Sequence, residues 1–456
     1  MKPLANTELT DEILGDNLWR LMLRLSLPAI VGMSISAINN FLDAFFVGQF
    51  VGQAAVAAIS LAFPILMINA AFSAMIGVGA SSLLSRAIGA GQVEVQRQIF
   101  GTLLMLSLIV SLVLSVLGMV YARELIAFMG GRGEVLDLGE EYLWFMMAGS
   151  FFLIFALIAN FSNLDEAKLR EAMVHLSVSL LINAVLNAAF IWGLGWGVAG
   201  AAWATVISLG VFSLISFSYF FRGKASYPVD LRRFSLRPDL LKPILAIGVS
   251  AMMMQLMFFV QQAVVFKSLE HYGDTWDQAF MGASYRVLIL VIFPAFGVAQ
   301  ALQPVVGINY GARNYARVRK AFAGRTLGGT ALMTSMWIFI MIWPEQVLGL
   351  MLVDAVFRPV DIYNFRMLIL TLPFFPVFFM GSTLFQAVGD AKMGAILTVS
   401  REVLLFVPAV LILPIFMGVN GIYFAGVPVN VLVLAGTLFM TWLLFRQWEA
   451  RPQAVG

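Results

Sequence analysis

Asp43 and Glu402 are the two carboxylates inside long apolar stretches of this 456-residue chain, and each could hold a proton or a cation. An ionisable group in hydrocarbon is costly and by default marks an ion or substrate path. Asn39 precedes Asp43 by four residues, so both lie on one helix face. Asn183 and Asn187 repeat that spacing, and with Asn160 and Thr205 they supply neutral hydrogen-bonding groups to surround the acid. Packing between helices is the competing role for such amides and hydroxyls, and an interfacial acid reaching water is the competing role for Asp43. The second half offers Gln255, Gln261 and Gln262 and no acid comparable with Asp43, which points to a cation site in the first half. Glu402 directly follows Arg401. Adjacent residues do not face each other on an α-helix, so the expected partners of this pair are other helices or water, and structural anchoring stands beside a functional role.

Other chemistry is missing. His175 and His271 are the only histidines and fall far apart, one at the start of span 5 and one in a loop, so they form neither a metal pair nor a catalytic base together. No G-x-x-x-x-G-K-[ST] phosphate loop occurs, and zero cysteines exclude disulfides, thiolate metal sites and cysteine nucleophiles. An enzyme is not expected.

The residues that must be positioned sit in a chain that is 61% hydrophobic and 12% charged, with mean hydropathy +0.91. Such a chain belongs in a lipid bilayer, and continuous apolar runs select helices over a barrel. The reading is an all-α integral membrane protein of twelve spans, near 25–48, 55–84, 99–121, 142–162, 172–192, 199–221, 243–268, 280–306, 324–343, 364–387, 394–416 and 422–445. Arg20 and Arg24, the central run from Arg222 to Lys242, and Arg313, Arg317, Arg319, Lys320 and Arg325 fill alternate connections, while Arg123, Arg132 and Arg358 sit in the others. By the positive-inside rule both termini are cytoplasmic. The net charge of +3 then reflects sorting between faces, with no nucleic-acid partner expected. The acidic start (Glu8, Asp11, Glu12, Asp16) is unlike a cleaved signal peptide.

The chain also repeats itself. GVGASSLLSRAIGAGQVEVQR from Gly77 is answered by GVAQALQPVVGINYGARNYARVR from Gly297, and GVAGAA from Gly197 by GVNGIY from Gly418. Two matches at an offset near 220 indicate duplicated halves. The expected layout is a cytoplasmic segment 1–24, a six-helix lobe 25–221, a cytoplasmic linker 222–242, a second six-helix lobe 243–445 and a cytoplasmic tail 446–456. Met252, Met253, Met254 and Met257, with Phe374, Phe375, Phe378 and Phe379, can line an adaptable apolar pocket, although lipid-facing filler is the plainer role.

FLDAFFVG around Asp43, QPVVGINYGARNYARVRK from Gln303, FQAVGDAK from Phe385 and SREVLLFVP from Ser400 are the most specific stretches of a resemblance that covers essentially the whole chain. It resembles the multidrug and toxic compound extrusion (MATE) transporters of the multidrug, oligosaccharidyl-lipid and polysaccharide exporter superfamily, with second-half segments similar to bacterial multidrug-efflux members. The resemblance implies two pseudo-symmetric six-helix lobes in a V shape, and antiport of organic, often cationic, drug-like molecules against H+ or Na+ with no other cofactor. It further implies the cytoplasmic membrane of a bacterium, and the large apolar surface is consistent with a monomer in lipid. The family's span 1 coupling aspartate matches Asp43, which would also be the metal ligand under Na+ coupling, and its polar first-lobe positions match Asn160, Asn183 and Thr205. Asn187 stands where some members carry a second aspartate, Gln261 and Gln262 stand in span 7 where others use second-lobe carboxylates, and DEAKLREAM from Asp165 replaces a small-residue turn. Possible second-lobe polar sites are therefore Gln261, Gln262, Arg401 and Glu402. H+ is the expected ion, since a single acid among neutral amides suits protonation. The alternative is a lipid-linked oligosaccharide or polysaccharide flippase of the same superfamily, which would need cationic residues along its cavity; Arg401, Lys267, Arg286 and Arg366 are the few in or near spans.

Overall fold

A computed structural model describes residues 13–15, 18–129, 131–165, 169–221, 237–349 and 356–449; inside helices, the side chains at 36–45, 48, 53, 57, 157, 159–165, 169–173, 219–221, 259, 275, 279 and 391 lie outside the described set. The helices run α1 Leu18–Phe50, α2 Gln53–Gly89, α3 Val93–Val120, α4 Ala122–Phe128, α5 Glu134–Ala148, α6 Ser150–Asp165, α7 Leu169–Asn187 and α8 Gly197–Phe221 in the first half. The second half holds α9 Pro238–Tyr272, α10 Thr275–Gly311, α11 Tyr315–Ile342, α12 Pro344–Gly349, α13 Pro359–Ile369, α14 Phe375–Val388, α15 Ala391–Val399, α16 Val407–Met417, α17 Val419–Phe424 and α18 Gly426–Glu449. Among the described residues there is no strand. A backbone in lipid must satisfy its own hydrogen bonds, and helices do so within one segment. Among the described residues, eleven helical stretches are long and apolar enough to cross a membrane, and twelve if α5 and α6, bent by 57° about Gly149, form one broken span.

The duplication is legible element by element. Adding 222 to the bounds of α2 gives those of α10, and adding 222 to the bounds of α3 gives those of α11. The turns repeat as well. Gly197 (φ 57°) and Gly418 (φ 58°) open the sixth span of each half, and Gly91 (φ 66°) after α2 is answered by Arg313 (φ 59°) after α10. Arg313 is the one non-glycine residue with a left-handed backbone among the described residues. Asn314 then caps α11, its side-chain oxygen accepting from Arg317 N at 3.3 Å, and Asp390 caps α15 through Met393 N at 3.1 Å.

The halves meet along a seam that glycine makes possible. The most extensive helix contact joins α2 of the first half to α9 of the second, followed by α1 on α10, with α2 also packed on α10. A Cβ added at Gly248 would lie 1.8 Å from the Met75 carbonyl oxygen, and one at Gly79 would lie 2.0 Å from that of Ile244. Nearer the basic end the contact is reciprocal: a Cβ at Gly89 would meet Ile308 O at 2.0 Å, and one at Gly311 would meet Arg86 O at 2.3 Å. Without a hydrophobic drive between helices in lipid, close backbone approach of small residues supplies the attraction. Ser82 Oγ adds a hydrogen bond to Gln386 O at 2.5 Å.

One feature departs from the sequence reading and a second adds to it. Arg325, read with the basic connection after span 8, lies within α11 at 1% exposure and donates to Ser26 Oγ of α1 at 2.7 Å, because α11 begins nine residues before the expected 324. Ile13, in the segment read as a cytoplasmic tail, is fully buried in the second-half core, and its carbonyl accepts from Arg317 Nε at 2.8 Å and Asn309 Nδ2 at 3.4 Å.

Arg313→Gly should raise stability by roughly 0.5–1 kcal/mol, the strain of a side chain in the left-handed region less the entropy that glycine adds to the unfolded chain; thermal unfolding in detergent micelles reads it. Gly89→Ala and Gly311→Ala should each lower stability by about 1–3 kcal/mol, because backbone must move to admit the methyl. A cysteine placed at Ser85 in either variant should react faster with a polar maleimide than in the wild-type seam, on a chain with no other cysteine.

Candidate functional site

Polar chemistry inside the spans gathers at three places. The first is a cavity of about 70 Å³ at the seam, where Ala74 and Val78 of α2 face Gln255 and Met254 of α9, Gln300, Gln303 and Phe296 of α10, and Gln386, Ser382 and Phe379 of α14. Among the described residues, no charged side chain lines it. Gln303 Nε2 donates across the seam to Val78 O, and Gln386 Nε2 donates to Ser382 Oγ, both at 3.4 Å. Among the described residues the buried Gln300 Oε1 has no partner, an acceptor that a guest could reach only if the lining moves. Neutral acceptors among aromatic faces suit organic molecules, cations included, and fix orientation without an ion pair.

Sequence reasoning found Gln255 and missed Gln300, Gln303 and Gln386. Their signal was available: three amides inside apolar runs, two of them three residues apart on one helix face. What the chain order hides is that α9, α10 and α14 bring them to one point. Gln261 and Gln262 are half-buried on α9, beyond Gln255 and outside this lining. Of the expected apolar set, Met254 and Phe379 reach the cavity, while Phe374 is largely exposed.

The second place is in the first half, where the structure joins three of the expected residues. Asn187 Nδ2 donates to Asn183 Oδ1 at 3.1 Å, Asn183 Nδ2 to Thr205 Oγ1 at 3.4 Å, and Thr205 Oγ1 to Ala201 O at 3.0 Å. Both asparagines are buried, and the four-residue spacing that put them on one face makes the first of these bonds. Helix α7 turns to a π stretch, Ala188–Gly193, directly after Asn187. Asn39 and Asp43 belong to α1, which packs on α7, and Asn160 belongs to α6; the side chains of these three lie outside the described residues.

The third place corrects the sequence reading of Arg401 and Glu402. Arg401 Nη1 donates to Glu402 Oε1, so the neighbours pair with each other, which the α-helical reading did not expect. The cause is local: Ser400–Phe406 is a π-helix, whose extra residue per turn narrows the angle between adjacent side chains. The pair is buried, at 11% and 3% side-chain exposure, and the guanidinium lies 5.1 Å from the Phe375 ring centroid and 4.7 Å from that of Phe378. Glu402 is thus a deeply buried second-half acid, ten residues inside a span that runs Lys392–Met417, so the expected polar asymmetry between the halves is weaker than the glutamines of span 7 suggested.

Comparison with known proteins accounts for the whole chain. The MatE family model matches residues 28–189 and 247–411. The chain is similar to the multidrug export protein MepA of Staphylococcus aureus, 22% identical over 427 residues that cover 93% of this chain and 94% of that protein. Its fold is similar to a MATE transporter crystallised in complex with MaL6, with TM-score 0.92 and 27% identity over 99% of this chain and 100% of that one. It is likewise similar to the outward-facing form of a multidrug resistance MATE transporter, with TM-score 0.90 and 28% identity over 96% and 98% of the two chains. The two matched segments correspond to the duplicated halves and together span most of the sequence, and the chain therefore belongs to the MATE family of membrane transporters.

Proposed function

We propose that this transporter exports organic, often cationic, small molecules from the cytoplasm of a bacterium in exchange for H+, with Asp43 as the coupling site and Asn39, Asn160, Asn183, Asn187 and Thr205 as its polar surroundings. The observation that carries the reading is the amide and aromatic cavity at the seam, free of charged lining among the described residues and bounded by both halves. Drug-sized ligands need about 300–1,000 Å³. At about 70 Å³ the cavity holds far less, so loading requires the halves to part, which is the motion expected of a duplicated transporter. The staphylococcal relatives are multidrug export proteins, which supports drug-like substrates here.

Sidedness follows from charge. Arg86, Arg97, Arg313, Arg317 and Arg319 crowd the end where Gly89 and Gly311 interlock, and the positive-inside rule puts that end in the cytoplasm with both termini. The interlock would then be the cytoplasmic gate. Coupling is assigned to Asp43 because its helix packs against α7, whose Asn183 and Asn187 chain offers neutral partners to an acid that gains or loses a proton. A bound cation biases the first-half helices only if it binds one of their arrangements better than another. Flippase action is disfavoured by a cavity without basic residues in its described lining and by an Arg401 already paired with Glu402.

In proteoliposomes, a fluorescent cationic dye should move against its gradient when a pH difference is imposed, and Asp43→Asn should cut that transport at least about tenfold while inserting normally, an effect of about 1.4 kcal/mol or more. Undiminished transport by Asp43→Asn would sink the assignment, and transport driven by Na+ alone would replace H+ as the ion. Gln300→Ala should raise the apparent KM for the dye about fivefold with little change in maximal rate, as expected for loss of one neutral hydrogen bond worth about 1 kcal/mol.

A further inference from the structure

The fifth span of each half carries both its polar pair and a π stretch: Asn183 and Asn187 precede Ala188–Gly193 in span 5, and Arg401 and Glu402 lie within Ser400–Phe406 in span 11. π stretches inside helices recur at functional sites, and a buried ion pair is seldom retained for stability alone. Glu402 Oε1 is held by Arg401, whereas the buried Oε2 has no hydrogen-bond partner among the described residues. Tyr285 of α10, itself buried, lies within electrostatic reach of both members of the pair. The elements packed on the π stretch are α9, α15, α16 and α18, and α14 and α10 reach the pair through Phe375, Phe378 and Tyr285; α14 carries no charged residue, and α10 has Asp277 near its start and an exposed Arg286. The charged groups of the first four (Asp239, Lys242, Lys267, Glu270 and His271 on α9, Lys392 on α15, Arg446 and Glu449 on α18) all sit near helix ends, and α16 has none. Arg401 and Tyr285 are thus the titratable groups that bear on Glu402 from within.

We propose that the second half contains a proton site of its own: Glu402 accepts a proton at Oε2, its bond to Arg401 weakens, and the π stretch of span 11 is the element whose register responds. The proton adds to a carboxylate oxygen and no other bond forms or breaks. Arg401 then rests on the faces of Phe375 and Phe378, which already flank its guanidinium at cation–π distance and hold a cation that has lost its counter-charge. With Glu402 neutral, nothing obliges residues 401 and 402 to point the same way, and the narrowed turn that pairs them loses its reward. The site takes a proton in preference to a metal ion because one of its two carboxylate oxygens is occupied by a guanidinium and a second anionic ligand is missing among the described residues. This inference extends the proton-coupled reading without resting on Asp43.

The test is made in the Asp43→Asn background, so that the span 1 acid contributes nothing to the signal. Infrared difference spectra of that protein in lipid nanodiscs, recorded as pH is lowered, should show a carboxylic C=O band of a buried acid. The band should vanish in Asp43→Asn/Glu402→Gln and shift in Asp43→Asn/Glu402→Asp, and Arg401→Lys should move its midpoint. The same band in the background protein and in Asp43→Asn/Glu402→Gln overturns the proposal. If the glutamine variant does not fold, the aspartate variant decides: a band that stays in place shows that another acid carries the proton. Failure of the Asp43 reading appears separately, as undiminished dye transport by Asp43→Asn.

Discussion

Spans 2 and 8 can cross where they do because Gly89 and Gly311 lack side chains. Each glycine faces a carbonyl of the other helix across the same pseudo-symmetric contact, and Gly79 and Gly248 extend the close approach along α2 and α9. In lipid, burying leucine against leucine gains little over leaving it among acyl chains, so association depends on how near two backbones can come. That constraint fixes the rest. It brings Val78 within reach of Gln303, lets Ser82 bond the Gln386 carbonyl, and leaves the seam cavity as the space remaining beyond the interlock.

Within that frame, each polar centre meets the cost of burial differently. The seam cavity avoids charge and spends its polarity on amides, one of which keeps an acceptor open. The first half links its amides in series, so that Asn187, Asn183 and Thr205 satisfy one another. The second half buries a full ion pair and braces it with two phenylalanine rings. The halves therefore share a scaffold and diverge in chemistry, and the divergence is concentrated on the same span of each.

The architecture was open to sequence reasoning because lipid imposes a single strong demand, about 20 apolar residues per span, and because duplication left glycines at matching positions such as Gly197 and Gly418. The asparagine pair was also legible, since a four-residue spacing becomes a contact whenever the segment is helical. Other features needed three dimensions. The Arg401 and Glu402 pairing depends on a change of helical register that no residue type announces. The convergence of Gln300, Gln303 and Gln386 depends on which spans become neighbours, and Arg325 was hidden in a run of basic residues that looked like an exposed connection. Glycine is needed at 149 because Val206 of α8 would lie 2.4 Å from a Cβ there, a contact invisible before the helices are placed.

The burial of Ile13 bears on how the two halves can travel. The chain enters the molecule docked on the second half, with the Ile13 carbonyl held by Arg317 and Asn309, and only then runs through the first half before returning by the covalent connection after Phe221. The stretch just ahead of α1 is thus tethered to α10 through Asn309 and to α11 through Arg317, close to the Gly89 and Gly311 interlock. Any displacement of α1 must carry that tether along or break two hydrogen bonds, so the start of the chain acts as a clamp on the helix that bears Asp43.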